Sequence, residues 1–252
     1  MYILQREPVE YCGSCAKTAK ITHAARFQGN KCTLVRELKM IQTSYWLEQG
    51  KKNAPRQYAK DRLVMELLRP YFVPGSILEL GAGVGQLSSI LTGMGFDTTA
   101  SDVDPEIVEF MQSQRIKSMI VDARHISQCV QTTFDNVLAS GITPMINREL
   151  GVQALEDTYR SVFEVLNPGG RFIVILGTGY DYKKKFIPIK EHFPIIRKTG
   201  FTLLHYFRNQ LFPSSLYSKF PKKLLAPMEN TVARWIGTRY VLVCQKGLRV
   251  EG

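Results

Sequence analysis

The chain has 252 residues with 22% charged and 44% hydrophobic side chains, enough to bury the core of one large domain with appendages and too balanced for a disordered or fibrous protein. Its net charge is +11, spread unevenly: residues 1–62 carry +7, residues 63–180 carry −6, residues 181–223 carry +8 and the remainder +2. Basic flanks around an acidic centre imply an anionic partner, which a small molecule, a membrane surface or nucleic acid could supply, while Lys183-Lys184-Lys185 alone also fits an ordinary solvated run.

Met1-Tyr-Ile-Leu-Gln-Arg-Glu-Pro turns polar too soon for a signal peptide, and no run of about 18 apolar residues could span a bilayer, so a cytoplasmic protein is expected. Five cysteines, an odd number without a secretion signal, are expected to be reduced thiols. Residues 1–42 read as a poorly ordered, basic N-terminal extension. Cys12-Gly-Ser-Cys15 has the spacing of a metal knuckle that Cys32 and His23 could complete, but the second pair is not a knuckle, and zinc is the alternative reading.

The pattern firms up from residue 43. Tyr45-Trp46-Leu47 and Tyr58 precede apolar residues at Leu63, Val64, Leu67 and Leu68, a helix expected to end at Pro70. Pro74-Gly75 turns the chain into an apolar strand, Ile77 to Leu80, which breaks into Gly81, Gly83 and Gly85 and then into a helix over Gln86 to Leu91. Such a turn lets backbone approach a ligand without a Cβ in the way and aims helix N–H groups at it. A second strand, about Thr98 to Ser101, delivers Asp102 at its carboxyl end, the place where a doubly wound fold puts an acid to accept hydrogen bonds from the ribose hydroxyls of a nucleoside cofactor. The dinucleotide fingerprint Gly-x-Gly-x-x-Gly fits poorly, because Gln86 stands where its third glycine belongs, and no Gly-Lys-Ser or Gly-Lys-Thr phosphate loop follows.

Glu79-Leu80-Gly81-Ala82-Gly83-Val84-Gly85 resembles the first motif of the class I S-adenosylmethionine-dependent methyltransferases, an acid, any residue, then Gly-x-Gly-x-Gly. The resemblance spans about residues 45 to 246 and implies a Rossmann-like α/β fold: a seven-stranded, mostly parallel sheet flanked by helices, the last strand antiparallel. It implies S-adenosylmethionine as cofactor, held by Glu79, Gly81, Gly83, Gly85, Asp102 and its neighbour Val103. It also implies that the helix before the first strand packs over the pocket, with Trp46 or Tyr58 facing substrate, although both aromatics could equally staple helix to sheet.

Beyond Asp102, Asp104 and Pro105 read as the cap and first residue of a helix, and Ser118 to Asp122 as a third strand. By the resemblance, Asp122 receives the adenine amino group and the Ala123 N–H serves the ring. Phe134 to Ser140 resembles the fourth motif, whose end, Ser140, faces both cofactor and substrate. Ser140-Gly141-Ile-Thr-Pro144 is not the Asn/Asp-Pro-Pro-Tyr of base-amino methylation, offers no carboxylate for a catechol-type metal site, and is not followed by the histidine common in small-molecule members. A helix from about Leu150 to Val165 then leads through Asn167-Pro-Gly-Gly170 into the fifth strand, which opens into a loop at Gly177 to Tyr182. A helix near Glu191, a sixth strand at Phe201 to Tyr206 and a seventh at Arg239 to Cys244 complete the sheet.

Residues 43–252 thus read as one methyltransferase domain with an insertion at 207–238, whose lysines interleave with aromatics. That insertion suits an acceptor-pocket cover, or else contact with an anionic membrane. Candidate bases are His192, Tyr180 and Asp181, with His23 available if the N-terminal arm folds over; Tyr180 is also a substrate-side candidate. The expected activity is methyl transfer to oxygen or nitrogen of a small anionic biosynthetic acceptor, with RNA or protein methylation and non-catalytic cofactor binding as alternatives. Nothing in the sequence fixes an oligomeric state.

Overall fold

The computed structural model describes residues 31–247, giving backbone alone for 31–46 and for positions 56, 180, 182 and 215. It opens with helix α1 (Lys31–Leu68), so the boundary expected at 42/43 falls inside a continuous helix. The helix stops at Leu68 because Pro70, which lacks an N–H, starts a tighter 3-10 turn at Arg69–Tyr71.

Seven strands follow in one sheet: β1 (Ser76–Leu80), β2 (Asp97–Asp102), β3 (Ser118–Ile120), β4 (Phe134–Ser140), β5 (Leu166–Gly177), β6 (Phe201–Asn209) and β7 (Arg239–Lys246), in the spatial order β3-β2-β1-β4-β5-β7-β6. Only β7 runs antiparallel, to both β5 and β6. Between the strands lie α2 (Gln86–Gly93), α3 (Pro105–Ser113), the short α4 (Ile126–Cys129) and α5 (Thr143–Ile146), α6 (Gly151–Val165) and α7 (His192–Lys198). The expected seven-stranded Rossmann-like sheet with one antiparallel strand is therefore present.

Both sheet faces are covered, which is why the central strands are buried over most of their length without alternation. On one face Val137, Phe172, Val174 and Leu242 pack with Leu155, Tyr159 and Val162 of α6. On the other, Ile77, Ile173, Ile175 and Val243 meet Leu91 of α2 and Val64, Met65 and Leu68 of α1. The Asn-Pro-Gly-Gly segment belongs to β5 itself and bulges: Phe134 pairs with Leu166, then Asn136 with Arg171. Gly170 is required there, since a Cβ would lie 2.8 Å from the Asn167 carbonyl oxygen.

The segment between β6 and β7 begins at 210, because β6 outruns its expected end. It holds α8 (Ser214–Tyr217), α9 (Lys222–Asn230) and α10 (Ala233–Ile236). Leu63 of α1 packs with Tyr217 and Leu225, so α1 is wedged between sheet and insertion. Inside, buried Glu229 accepts hydrogen bonds from the N–H groups of Gln210 and Leu211, each at 2.8 Å, and from the Tyr217 hydroxyl. At the neck, the Thr238 N–H and hydroxyl both donate to the Gln210 carbonyl at 3.0 Å.

Candidate active site

Strand order reverses between β1 and β4, and the crevice outside their carboxyl ends is where a doubly wound sheet binds ligands. The chain leaves β1 through Gly81, Gly83 and Gly85 at φ of 64°, 55° and 75°, a left-handed conformation that favours glycine at all three. Their surroundings differ. A Cβ on Gly81 would strike Ile142 at 2.6 Å and one on Gly85 would strike Ile116 at 2.6 Å, whereas one on Gly83 would meet nothing within 4 Å. The outer glycines fit the turn into the protein, and the middle one faces open space.

Asp102, at the end of β2, accepts the Gly83 N–H on Oδ2 at 3.2 Å and the Asp104 N–H on Oδ1 at 3.1 Å, which ties the glycine turn to the neighbouring strand. Burial raises its pKa, and those N–H groups oppose the rise. Val103 beside it leaves 62% of its surface exposed, an apolar side chain open at the crevice. As expected, Asp104 caps α3, accepting the Glu106 N–H at 3.0 Å.

Behind the turn, Glu79 is buried in β1 and accepts the Ser88 hydroxyl at 2.5 Å. Burial pushes its carboxyl up to about 7. Gln86, the first residue of α2, donates to Asp61 of α1 at 2.6 Å, and Asp61 pairs with Lys60 at 2.9 Å. Lys60 is 1% exposed; burial and the Arg239 charge lower its pKa against the pull of Asp61. Asp122 follows β3 and is gripped by Arg124, whose Nη2 donates to Oδ2 at 2.6 Å and Nε to Oδ1 at 3.0 Å. Burial works against that charge, but the arginine outweighs it and holds Asp122 below its usual range.

Beyond Ser140 a cavity of about 420 Å³ opens between the ends of β4 and β5 and the neck of the insertion. Ser140, Gly177, Lys183, Gln210, Thr238 and Arg239 line it. No carboxylate lies among its lining residues, and neither Lys183 nor Arg239 has an ion-pair partner among the described residues.

The candidate bases fare differently. His192 is a correction: it is fully buried under α6, its Nδ1 3.1 Å from the Tyr159 hydroxyl, and burial pushes it down to about 4. An imidazole with no exposed surface cannot meet an acceptor. Asp181 accepts the Ile189 N–H at 2.8 Å and the Tyr240 hydroxyl at 2.6 Å, so both oxygens hold the loop after β5. Tyr58 stands half exposed on α1. The side chains of Trp46, Tyr180 and Cys32, and all of Cys12, Cys15 and His23, lie outside the described residues. Among the described residues no group of three or more His, Cys, Asp or Glu could hold a metal, and Cys244 is a buried free thiol. Sequence reasoning missed Asp61, Gln86, Arg124, Gln210 and Arg239; only the glycine-loop departure at Gln86 left a trace in the sequence.

The glycine turn, the carboxylates at successive strand ends and the open space over Gly83 fit a nucleoside cofactor carrying an amino-acid tail. Residues 78–174 match the family model described as a methyltransferase domain. The match and the fold together support an S-adenosylmethionine-dependent methyltransferase, with S-adenosylmethionine as the cofactor. Solved structures share that fold at low identity. The glycopeptide N-methyltransferase MtfA in complex with S-adenosylmethionine is 16% identical with a TM-score of 0.54, covering 76% of this chain and 94% of its own. A TehB-like S-adenosylmethionine-dependent methyltransferase from Corynebacterium glutamicum is 16% identical with a TM-score of 0.55, covering 82% and 98%. The CcbJ methyltransferase from Streptomyces caelestis is 13% identical with a TM-score of 0.56, covering 74% and 89%. A search of curated proteins found no match to the chain.

Proposed function

We propose that the chain methylates oxygen or nitrogen of a small anionic acceptor seated in the cavity between the ends of β4 and β5 and the insertion. The observation that carries this reading is the cavity's lining: Lys183 and Arg239 without ion-pair partners among the described residues, no carboxylate, and Ser140, Gln210 and Thr238 as hydrogen-bonding groups. An uncompensated pair of cations beside neutral donors selects negative charge.

On the cofactor side, Asp102 takes the ribose hydroxyls, Val103 lies against the adenine ring, and Asp122 with the Ala123 N–H serves the ring's polar edge, Arg124 holding that carboxylate ionised. Gly83 allows the backbone close to the ligand, Gly81 and Gly85 keep the turn's shape, and Glu79 stiffens it from behind through Ser88. Ser140 stands where cofactor and acceptor meet, with Tyr58, Trp46 and Tyr180 toward the acceptor.

When bound, S-adenosylmethionine supplies a methyl group on a positively charged sulfur, so its leaving group is already activated. The chain's own residues then have to hold the acceptor in line and keep water out. A base is needed only for a hydroxyl of high pKa, and no carboxylate or imidazole lines the cavity. An acceptor nucleophilic without deprotonation, or one whose acidity Lys183 and Arg239 raise, suits that lining.

The test is a panel of anionic and neutral acceptors scored by release of S-adenosylhomocysteine. Turnover of anionic acceptors is expected, with KM rising roughly tenfold or more in Lys183→Gln and Arg239→Gln while cofactor affinity by calorimetry stays unchanged. Activity confined to neutral acceptors, RNA or protein would overturn the acceptor assignment. Cofactor binding without turnover of anything would overturn catalysis.

A further inference from the structure

We propose that the outer face of the insertion docks the chain on an anionic lipid surface. From Phe220 onward an apolar residue recurs every fourth position, at Phe220, Leu224, Met228, Val232 and Ile236, and all five are exposed. Trp235 joins them with 81% of its surface in solvent, followed by Ile236 at 63% and Leu224 at 61%. These side chains do not belong to the insertion's own hydrophobic cluster, which Tyr217 and Leu225 form with Leu63, while Glu229 and Ala233 are buried. Six large exposed apolar groups within one short insertion mark a contact that the isolated chain lacks.

The surrounding charge says what covers it. Between Gln210 and Thr238 the charged residues are Lys219, Lys222, Lys223, Glu229 and Arg234, and the one acid is buried, so every exposed charge is positive. Lys222 pairs with Glu66 and Arg234 donates to the Tyr71 hydroxyl at 2.9 Å; Lys219 and Lys223 have no ion-pair partner among the described residues. Exposed apolar side chains, an indole among them, interspersed with lysines match the interface of a bilayer whose headgroups are negative. A second copy of this chain would set the same cations and a net charge of +11 against themselves. No described helix is long and apolar enough to cross a membrane, so this contact is peripheral. The docking face does not rest on the acceptor assignment, although its two ends, Gln210 and Thr238, both line the cavity.

The experiment uses the full chain with vesicles of phosphatidylcholine alone or containing 30% phosphatidylglycerol, chosen on the order of the charge density that recruits basic surfaces. Co-sedimentation is expected with the anionic vesicles only, and to be lost in high salt. Trp46 and Trp235 are the chain's two tryptophans, so in a Trp46→Phe background the emission reports Trp235 alone and is expected to shift to the blue on binding. Lys219→Glu with Lys223→Glu, and separately Leu224→Ser with Trp235→Ser, are expected to weaken vesicle binding roughly tenfold or more with cofactor affinity unchanged. Should Trp46→Phe fail to fold, sedimentation of the unmodified chain against these variants decides the matter. Three results would overturn the proposal: no sedimentation at saturating anionic lipid, equal binding by the serine variant, or a dimer in light scattering that Trp235→Ser dissolves.

Discussion

Glu79 and His192 are buried ionisable groups that pull stability in opposite directions. Glu79 is pushed by burial up to about 7 from 4.5, so between those values the folded chain keeps a proton that the unfolded chain has released, and stability falls as pH rises through that window. His192 is pushed by burial down to about 4 from 6.5, so there the unfolded chain holds the extra proton and stability rises with pH. The two slopes oppose one another where the windows overlap. Glu79→Gln is therefore expected to tilt the cofactor-free chain toward a steeper rise in stability from pH 4.5 to 6.5. One proton is worth up to about 1.4 kcal/mol per pH unit, and urea midpoints across a pH series read the difference. Identical slopes for variant and parent would refute the buried-carboxyl account.

The glycine turn separates folding from binding at the same scale. Gly81→Ala and Gly85→Ala are expected to destabilise by more than the roughly 1–2 kcal/mol of left-handed strain, because each also drives a Cβ into an isoleucine. Gly83→Ala meets no protein atom, so its thermal midpoint is expected to fall by the strain alone while calorimetry with S-adenosylmethionine shows the larger loss. Asp102→Ala is expected to weaken cofactor binding by roughly 1.5–3 kcal/mol, the range for hydrogen bonds to a charged group; an unchanged titration would remove it from the cofactor site. Asp102 was legible because a strand end and a spacing define it. Asp61, Arg124 and Arg239 were not, because each is significant only through a partner that the fold brings to it.

At the scale of elements, the strands and the glycine turn read well because apolar runs bounded by Gly and Pro are local signals. Where β6 outran its expected end the reason is tertiary: it runs on to Asn209 because β7 pairs with it that far. The insertion had no readable order at all, since its centre is one carboxylate reaching three donors remote in sequence. Glu229→Ala strips partners from two backbone N–H groups and a tyrosine, with an expected cost of roughly 2–3 kcal/mol. Hydrogen exchange is the measurement that checks it: protection should drop across 210–238 and hold in β1, β4 and β5. Uniform loss through the sheet would mean that Glu229 supports the fold as a whole.

Across the whole molecule, α1 joins two bodies that the sequence presents as separate. Its Val64, Met65 and Leu68 close the sheet's core while Leu63 enters the insertion's cluster with Tyr217 and Leu225. Leu63→Ala is expected to cost about 2–5 kcal/mol, as read by urea unfolding, and to loosen the insertion while leaving the cofactor turn in place. A loss of S-adenosylmethionine affinity as large as that of Asp102→Ala would contradict this division.

The neck of the insertion carries a consequence for how such a chain can change. Gly237 is hemmed by backbone, a Cβ there lying 2.3 Å from the Asn209 oxygen, and entrance and exit are fastened to each other at Gln210 and Thr238. A segment cinched in this way behaves as a cassette: its interior can be exchanged for another sequence without re-registering the strands on either side. On the proposed acceptor site, a graft at this one seam rewrites substrate preference while the methyl-donor half is inherited intact.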